Sequence, residues 1–274
     1  MARNRRRRSR SQGGMSSYLI GAVLLLIAAA VAGGFAYLKL TAKVPPKLDK
    51  TTLCPLDGPT SMTIVLLDAS DALPPIGRQQ LMTELTDLAE STPDYGLFEL
   101  RVLEPNASGG AVKFHACNPG DGSGVDALTG NKELARKKWT QGFKLPLEQA
   151  LAADLGGVPS DNSPIMATIQ AIAVEQFTSA KADDVAKKLV VVSDMIENER
   201  DYNQYRGDLS FARFKKSLAY RQYRTDLHGA EVKIKYVQRQ KPPIDSVAHI
   251  RFWQEWIADN NGKFDSADRL QGVN

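Results

Sequence analysis

Hydrophobic and polar positions divide the chain into three regimes. Residues Tyr18 to Leu38 are 21 consecutive uncharged residues dominated by Leu, Ile, Ala, Val and Gly. A helix needs about 20 such residues to cross the hydrocarbon core of a bilayer, so the pattern predicts one transmembrane helix over 18–40. A cleaved signal peptide is the alternative, but its apolar region typically runs about 7–15 residues, and the longer run here reads as a signal-anchor. Tyr18 and Tyr37 stand at the two ends, where aromatic side chains favour the membrane interface. Residues 41–59, with Pro45, Pro46, Pro55 and Pro59, read as a linker. Beyond it, short apolar runs alternate with stretches of helical periodicity, which is the pattern of an α/β domain.

Within that domain, Met62 to Asp71 reads Met-Thr-Ile-Val-Leu-Leu-Asp-Ala-Ser-Asp. The apolar part suits a strand buried on both faces in the middle of a parallel sheet. In such sheets ligands bind where the carboxyl ends of the strands emerge, which makes Asp68, Ser70 and Asp71 candidates for chemistry or metal binding. The same residues are also preferred helix caps. A helix is predicted from about Ile76 to Ser91, with Pro75 in its first turn and Leu81, Leu85 and Leu88 facing the sheet. Phe98–Leu103 and a short edge strand at Ala111–Cys117 follow, and then a loop over 118–131 rich in Gly, Asn and Asp. Asp121 and Asp126 in that loop lack the alternating oxygens and terminal Glu of an EF-hand.

Leu134 to Phe143 reads as helix, with Trp139 and Phe143 on one face. The polar triplet Asp161-Asn-Ser caps a further helix that carries Pro164 in its first turn and a buried stripe of Ile165, Ile169, Ile172 and Phe177. Lys188 to Asp194 is a second buried strand that also ends in a hydroxyl and a carboxylate. A loop to Ser210, a helix at about Phe211–Tyr223, a strand at Ala230–Val237 and a helix at about Ser246–Ala258 complete the domain, which is set at 60–260. That last helix places Ile250, Trp253, Trp256 and Ile257 on one face. Residues 261–274 read as a polar, frayed tail.

Charge changes the picture at one end only. Lys and Arg number 35 against 31 Asp and Glu, but Arg3, Arg5, Arg6, Arg7, Arg8 and Arg10 precede the apolar helix within residues 1–17. The remainder carries 29 basic against 31 acidic residues, so the folded part is not expected to bind nucleic acid. Six Arg before the helix, with Lys39 and Lys43 after it, predict a cytoplasmic N-terminus and a domain outside the inner membrane, in the periplasm for a bacterium. Cys54 and Cys117 are the only cysteines, and an oxidising compartment would join them; two buried free thiols are the alternative.

The succession of strand, Asp-x-Ser, helix, strand, loop, helix and a strand ending Ser-Asp resembles the von Willebrand factor A domain over roughly residues 60 to 260. The resemblance implies a doubly wound, mostly parallel sheet with helices on both faces. It further implies a metal-ion-dependent adhesion site, built in that family from Asp-x-Ser-x-Ser, a Thr from a second loop and an Asp from a third. Asp68 and Ser70 match the first two positions, and Ala72 falls on the second Ser, where Asp71 is the available substitute. Ser163 stands near the Thr, and Asp194 matches the third-loop Asp. The cofactor implied is a divalent cation, magnesium by its preference for such oxygens.

The resulting expectation is a membrane-anchored module that binds protein partners of the cell envelope. The alternative is a metal-independent structural subunit of an envelope-spanning complex. Enzymatic activity is not expected: the chain has no His-Glu-x-x-His helix, no Gly-x-Ser-x-Gly elbow and no Walker loop, and His115, His228 and His249 are isolated in sequence.

Overall fold

A computed structural model describes residues 14–41, 46–68, 70, 73–104, 109–125, 130–155, 160, 162–206, 209–237 and 244–270. Two compact units divide it at Pro46 and Lys47. The first contains helix α1, Gly14–Thr41, whose stretch Tyr18–Leu40 is long and apolar enough to cross a membrane and has none of its residues buried against protein.

The second unit is built on six strands: β1 Ser61–Leu67, β2 Leu97–Val102, β3 Ala111–Cys117, β4 Ala186–Ser193, β5 Glu231–Tyr236 and β6 Lys263–Arg269. They form one sheet in the order β3-β2-β1-β4-β5-β6. Every neighbouring pair is parallel except β2 with β3. This is a doubly wound, mostly parallel sheet, as the resemblance to the von Willebrand factor A domain implies, with the antiparallel strand at one edge. Strand β1 lies between β2 and β4, and its residues Met62 to Leu67 are buried on both faces. That placement explains why they read as an unbroken apolar run.

Helices cover the two faces of the sheet. On one side α2, Pro75–Glu90, and α4, Leu145–Asp154, bring Leu81, Leu85, Leu147 and Leu151 against Val65, Leu67, Leu100 and Val192. On the other, α5, Ile165–Ile172, the short α6 and α7, Phe211–Phe214 and Leu218–Tyr223, and α8, Ser246–Asp259, pack on Ile64, Leu66, Val191 and Ile234. Phe252, Trp253 and Trp256 of α8 are fully buried there. Each such large apolar side chain contributes roughly 1.5–3 kcal/mol on burial. Cys54 and Cys117 are joined by a disulfide, which fastens the segment entering the domain to the end of β3.

Several sequence expectations are corrected. Residues 261–274 are not wholly a tail: Lys263–Arg269 pairs with β5 as the sixth strand. Its polar residues belong to an edge strand that is half exposed along its length, so only Phe264 and Ala267 join the core and no apolar run marks it. The linker likewise ends earlier than residue 59, since Leu48 bridges Pro55 and Lys47 opens the second unit. The helix expected over Leu134–Phe143 is α3, Lys132–Trp139, followed by a π-helical turn Thr140–Lys144 that runs directly into α4. The helix expected at 211–223 is broken at Lys215–Ser217, where Ser217 caps α7 by accepting from the Tyr220 N–H at 3.1 Å.

Candidate functional site

The carboxyl ends of β1 and β4 are neighbours, with Leu67 opposite Val192, so the residues that follow both strands emerge side by side. The Asp68 N–H continues the ladder by donating to the Val192 carbonyl at 2.8 Å. This fixes the Asp68 side chain beside the end of β4, where Ser193 Oγ donates to Asp68 Oδ2 at 2.7 Å. A third segment arrives from the other side of the chain. Ser163, just before α5, donates its hydroxyl to the same Oδ2 at 3.1 Å. The other carboxylate oxygen, Oδ1, accepts from the Ser70 N–H at 3.0 Å. Three loops thus converge on one carboxylate.

Of the residues singled out in the sequence, Asp68, Ser70 and Ser163 are brought together. Asp194 is adjacent and nearly buried, but its Oδ1 accepts from the Ile196 N–H at 3.0 Å, turning the chain back after the strand. The hydroxyl that touches Asp68 from β4 is therefore that of Ser193, one residue before the expected ligand. Asp71, Ala72 and Asp126 lie outside the described residues. Among the described residues, no group of three His, Cys, Asp or Glu side chains is placed to hold a metal. The oxygens at Asp68, one carboxylate ringed by two hydroxyls with a second carboxylate next in chain, nonetheless fit a hard divalent cation by donor type.

The helix cap differs from expectation in an informative way. Pro164 occupies the N-cap position of α5 with no side-chain cap, so neither Asn162 nor Ser163 is the cap residue, and Asp161 lies outside the described residues. Glu197, three residues past Asp194, does so from a distance: its Oε2 accepts from the Met166 N–H at 2.8 Å. Asn198 and Ser163 complete the junction by exchanging backbone hydrogen bonds at 3.1 and 3.2 Å. The loop that carries Ser193 and Asp194 is in this way tied to the loop that carries Ser163. Glu197 is fully buried, and its Oε1 has no partner. Burial pushes its carboxyl well above the usual range, and the charges of Glu199 and Asp68 act in the same direction against the bond from Met166. No spacing or periodicity singles out this Glu, since nothing local marks an acidic side chain that folds inward.

Behind Glu197 lies a buried polar chain. The Glu197 N–H donates to Gln204 Oε1 at 2.9 Å, which identifies that atom as the amide oxygen. That oxygen lies 3.0 Å from His249 Nε2, to which Trp253 Nε1–H also donates at 3.0 Å, and His249 Nδ1 lies 3.2 Å from the Tyr236 hydroxyl. His249 is held neutral, burial lowering its pKa to about 4. Trp253 Nε1 donates to the Met195 carbonyl at 2.8 Å. Met195 takes a left-handed backbone conformation, φ 60°, although it is not glycine. Such a conformation costs roughly 1–2 kcal/mol and persists here because Trp253 and the Ser193 hydroxyl, which accepts from the Met195 N–H at 2.7 Å, hold the turn from both sides.

No protein-family model and no curated protein matches the chain. Solved structures resemble it at low identity. BatB of Bacteroides thetaiotaomicron, a conserved hypothetical protein, is 11% identical with a TM-score of 0.42 over 76% of this chain and 91% of that one. An aerotolerance-related membrane protein of Bacteroides fragilis is 15% identical with a TM-score of 0.36 over 78% of this chain and 93% of that one. A von Willebrand factor type A protein from Catenulispora acidiphila is 10% identical with a TM-score of 0.42, covering 76% of this chain and 38% of that one.

Proposed function

We propose that the chain is a membrane-anchored protein-binding module of the cell envelope that grips a partner through a divalent cation at the carboxyl end of its sheet. The observation that carries this reading is the meeting of Ser163 and Ser193 hydroxyls on a single oxygen of Asp68, from loops far apart in sequence. Asp68, Ser70, Ser163 and Asp194, with Asp71 as the further ligand the sequence offers, would hold the cation, magnesium being the best fit to carboxylate and hydroxyl oxygens. When bound, it supplies a Lewis-acid seat for a carboxylate oxygen of the partner. Ser193 orients Asp68, and Glu197 keeps the Ser163 and Asp194 loops in register.

The anchor is the apolar stretch 18–40, with the N-terminus cytoplasmic and the domain periplasmic. The six Arg before the span support that orientation, and the disulfide agrees with an oxidising compartment. Binding rather than catalysis is proposed because the carboxylate at the centre is engaged by donors and has no nucleophile–base pair beside it among the described residues. A second reading, a metal-independent structural subunit, is favoured by that same saturation of Asp68 by two hydroxyls and an N–H.

Thermal melts of the Lys47–Asn274 unit separate the two. A cation at a hundredfold excess over its Kd stabilises the folded state by about 2.7 kcal/mol, and Asp68→Ala should abolish that increment. Identical melts in EDTA and in millimolar magnesium or manganese would refute the cation and select the second reading. Partner capture from membranes with and without EDTA tests the grip itself.

A further inference from the structure

Helix α3, the π turn Thr140–Lys144 and α4 follow one another without a break, so residues 132–154 form one continuous helical rod about 34 Å long. Phe143, Leu147 and Leu151 on one side of it are buried in the core. Leu134, Lys138, Gln141, Leu145, Gln149 and Ala152 are all exposed, and their spacing of three or four residues keeps them in line on the other side. The packed side of α3 is that of Lys132 and Ala135: a Cβ added at Gly122 would come within 2.9 Å of the Lys132 carbonyl and 3.1 Å of Ala135 Cβ.

The two ends of the exposed line differ in charge. At the α3 end, Lys137 and Lys138 form no ion pair with a described acidic side chain, Glu133 of the same helix included. Leu134, 51% exposed, stands beside them one turn earlier. At the α4 end a groove of about 490 Å³ opens between α4 and α2, with Met82, Asp87, Leu145, Glu148 and Ala152 in its lining. Lys144 pairs there with Glu90 at 2.6 Å and comes within 3.9 Å of Glu148. Among the described residues this leaves one positive charge amid the carboxylates of Asp87, Glu90 and Glu148, all of which act on that lysine. One end of the rod thus offers an exposed Leu between unpaired lysines, and the other an apolar groove with an acidic rim.

We propose that this face is an interface between two copies of the chain, the rod of one lying antiparallel on the rod of the other about a two-fold axis at the π turn. Charge sets the direction. In the antiparallel arrangement, residues equally far from Phe143 along the chain face each other: Lys138 meets Glu148, Leu134 meets Ala152 in the groove, and Gln141 meets Leu145 at the axis. A parallel arrangement would stack the lysines of one copy on those of the other. Each contact occurs twice, so the interface is satisfied by two copies and does not propagate. Opposite charges across such a face steer the encounter and fix its register. The inference depends on neither the cation nor the anchor proposed above.

The test uses the full chain in detergent micelles, half of it labelled with ¹⁵N, and a carbodiimide that joins an amine to a carboxylate in direct contact. Within one copy Lys138 and Glu148 lie ten residues apart on the rod, about 15 Å. A Lys138–Glu148 cross-link therefore forms only between copies, and it should appear as mixed-isotope peptides. Sedimentation equilibrium should give a dimer. Lys138→Glu and Glu148→Lys should each weaken that dimer roughly tenfold, and the double variant, which exchanges the two charges, should restore it. Both positions are at the surface, so melting of the variants should match the wild type. A chain that stays monomeric, alone or with another protein bound in the groove, would overturn the proposal. So would a dimer that tolerates both single variants, which would place its contact elsewhere, the apolar helix included, or a double variant that is not rescued.

Discussion

Replacing His249 by Phe tests the buried polar chain behind the site. In the folded protein the imidazole is fully buried and neutral, with Gln204 and Trp253 at Nε2 and Tyr236 at Nδ1. Its pKa of about 4 lies below its ordinary value of 6.5. Between those values the unfolded chain binds a proton that the folded chain refuses, so stability rises with pH across the window. The contribution is fully present above pH 6.5 and is lost as pH falls through 4. A separation of about 2.5 units at 1.36 kcal/mol each amounts to about 3 kcal/mol. Phe keeps an aromatic ring of similar size but does not titrate. It should cost about 1–3 kcal/mol at neutral pH through the lost hydrogen bonds, while removing the slope. Urea unfolding of the Lys47–Asn274 unit, wild type and His249→Phe, at several pH values from 7 to 4 measures both effects. On acidification the wild type should lose about 3 kcal/mol relative to the variant, closing or reversing the gap, with other titrating groups cancelling in the difference. A gap that stays constant with pH would show that His249 is not buried as the neutral form.

Two further substitutions address other buried charges. Glu197 has the opposite sign: its raised pKa contributes stability that is present below its ordinary value of 4.5 and is lost as pH rises through the folded value. Glu197→Gln should therefore gain on the wild type as pH increases from 4.5, in the same urea series, and parallel curves would refute the assignment. Arg101 and Glu99 form an ion pair on β2 with side chains only 3% and 1% exposed, and Arg101 also donates to the Gly109 carbonyl at 2.9 Å and to Glu175 at 2.6 Å. Arg101→Met strands the Glu99 carboxylate with His115 and Gln176 as its remaining partners. The expected loss is about 3 kcal/mol by chemical unfolding, and a loss below about 1 kcal/mol would mean the pair is not desolvated.

Much of the fold was legible because burial on both faces leaves a mark that survives in a single sequence. Ile64 to Leu67 and Leu189 to Val192 are apolar at every position because helices cover both sides of the central strands. The edges of the sheet leave no such mark. β6 reads as a tail because only Phe264 and Ala267 reach the core and its other positions are exposed or half exposed. α4 escapes notice as a separate element because no break precedes it: the π turn at Thr140–Lys144 carries one helix into the next. At the site, Asp68 and Ser163 could be found because each follows an apolar run or opens a helix, and the residue types there are chemically suggestive. The choice between Ser193 and Asp194 depends on where the strand stops twisting its side chains to alternate faces, which differs by one residue and is set by pairing with β1. Glu197 could not be found at all. Its role depends on a helix N-terminus some thirty residues earlier in the chain, where Pro164 leaves the cap open.

The disulfide between Cys54 and Cys117 has a mechanical consequence. A partner held at the carboxyl end of the sheet and an anchor attached at Lys47 would pull the domain from opposite ends. Tension arriving at Cys54 divides between the short path into β1 and the covalent path into β3. β1, like β4 and β5, is flanked on both sides by parallel neighbours, here β2 and β4. Its hydrogen bonds then bear the load together, in shear, and cannot be unzipped one at a time from an edge. A tether fastened to β6 would instead peel a strand with a single neighbour.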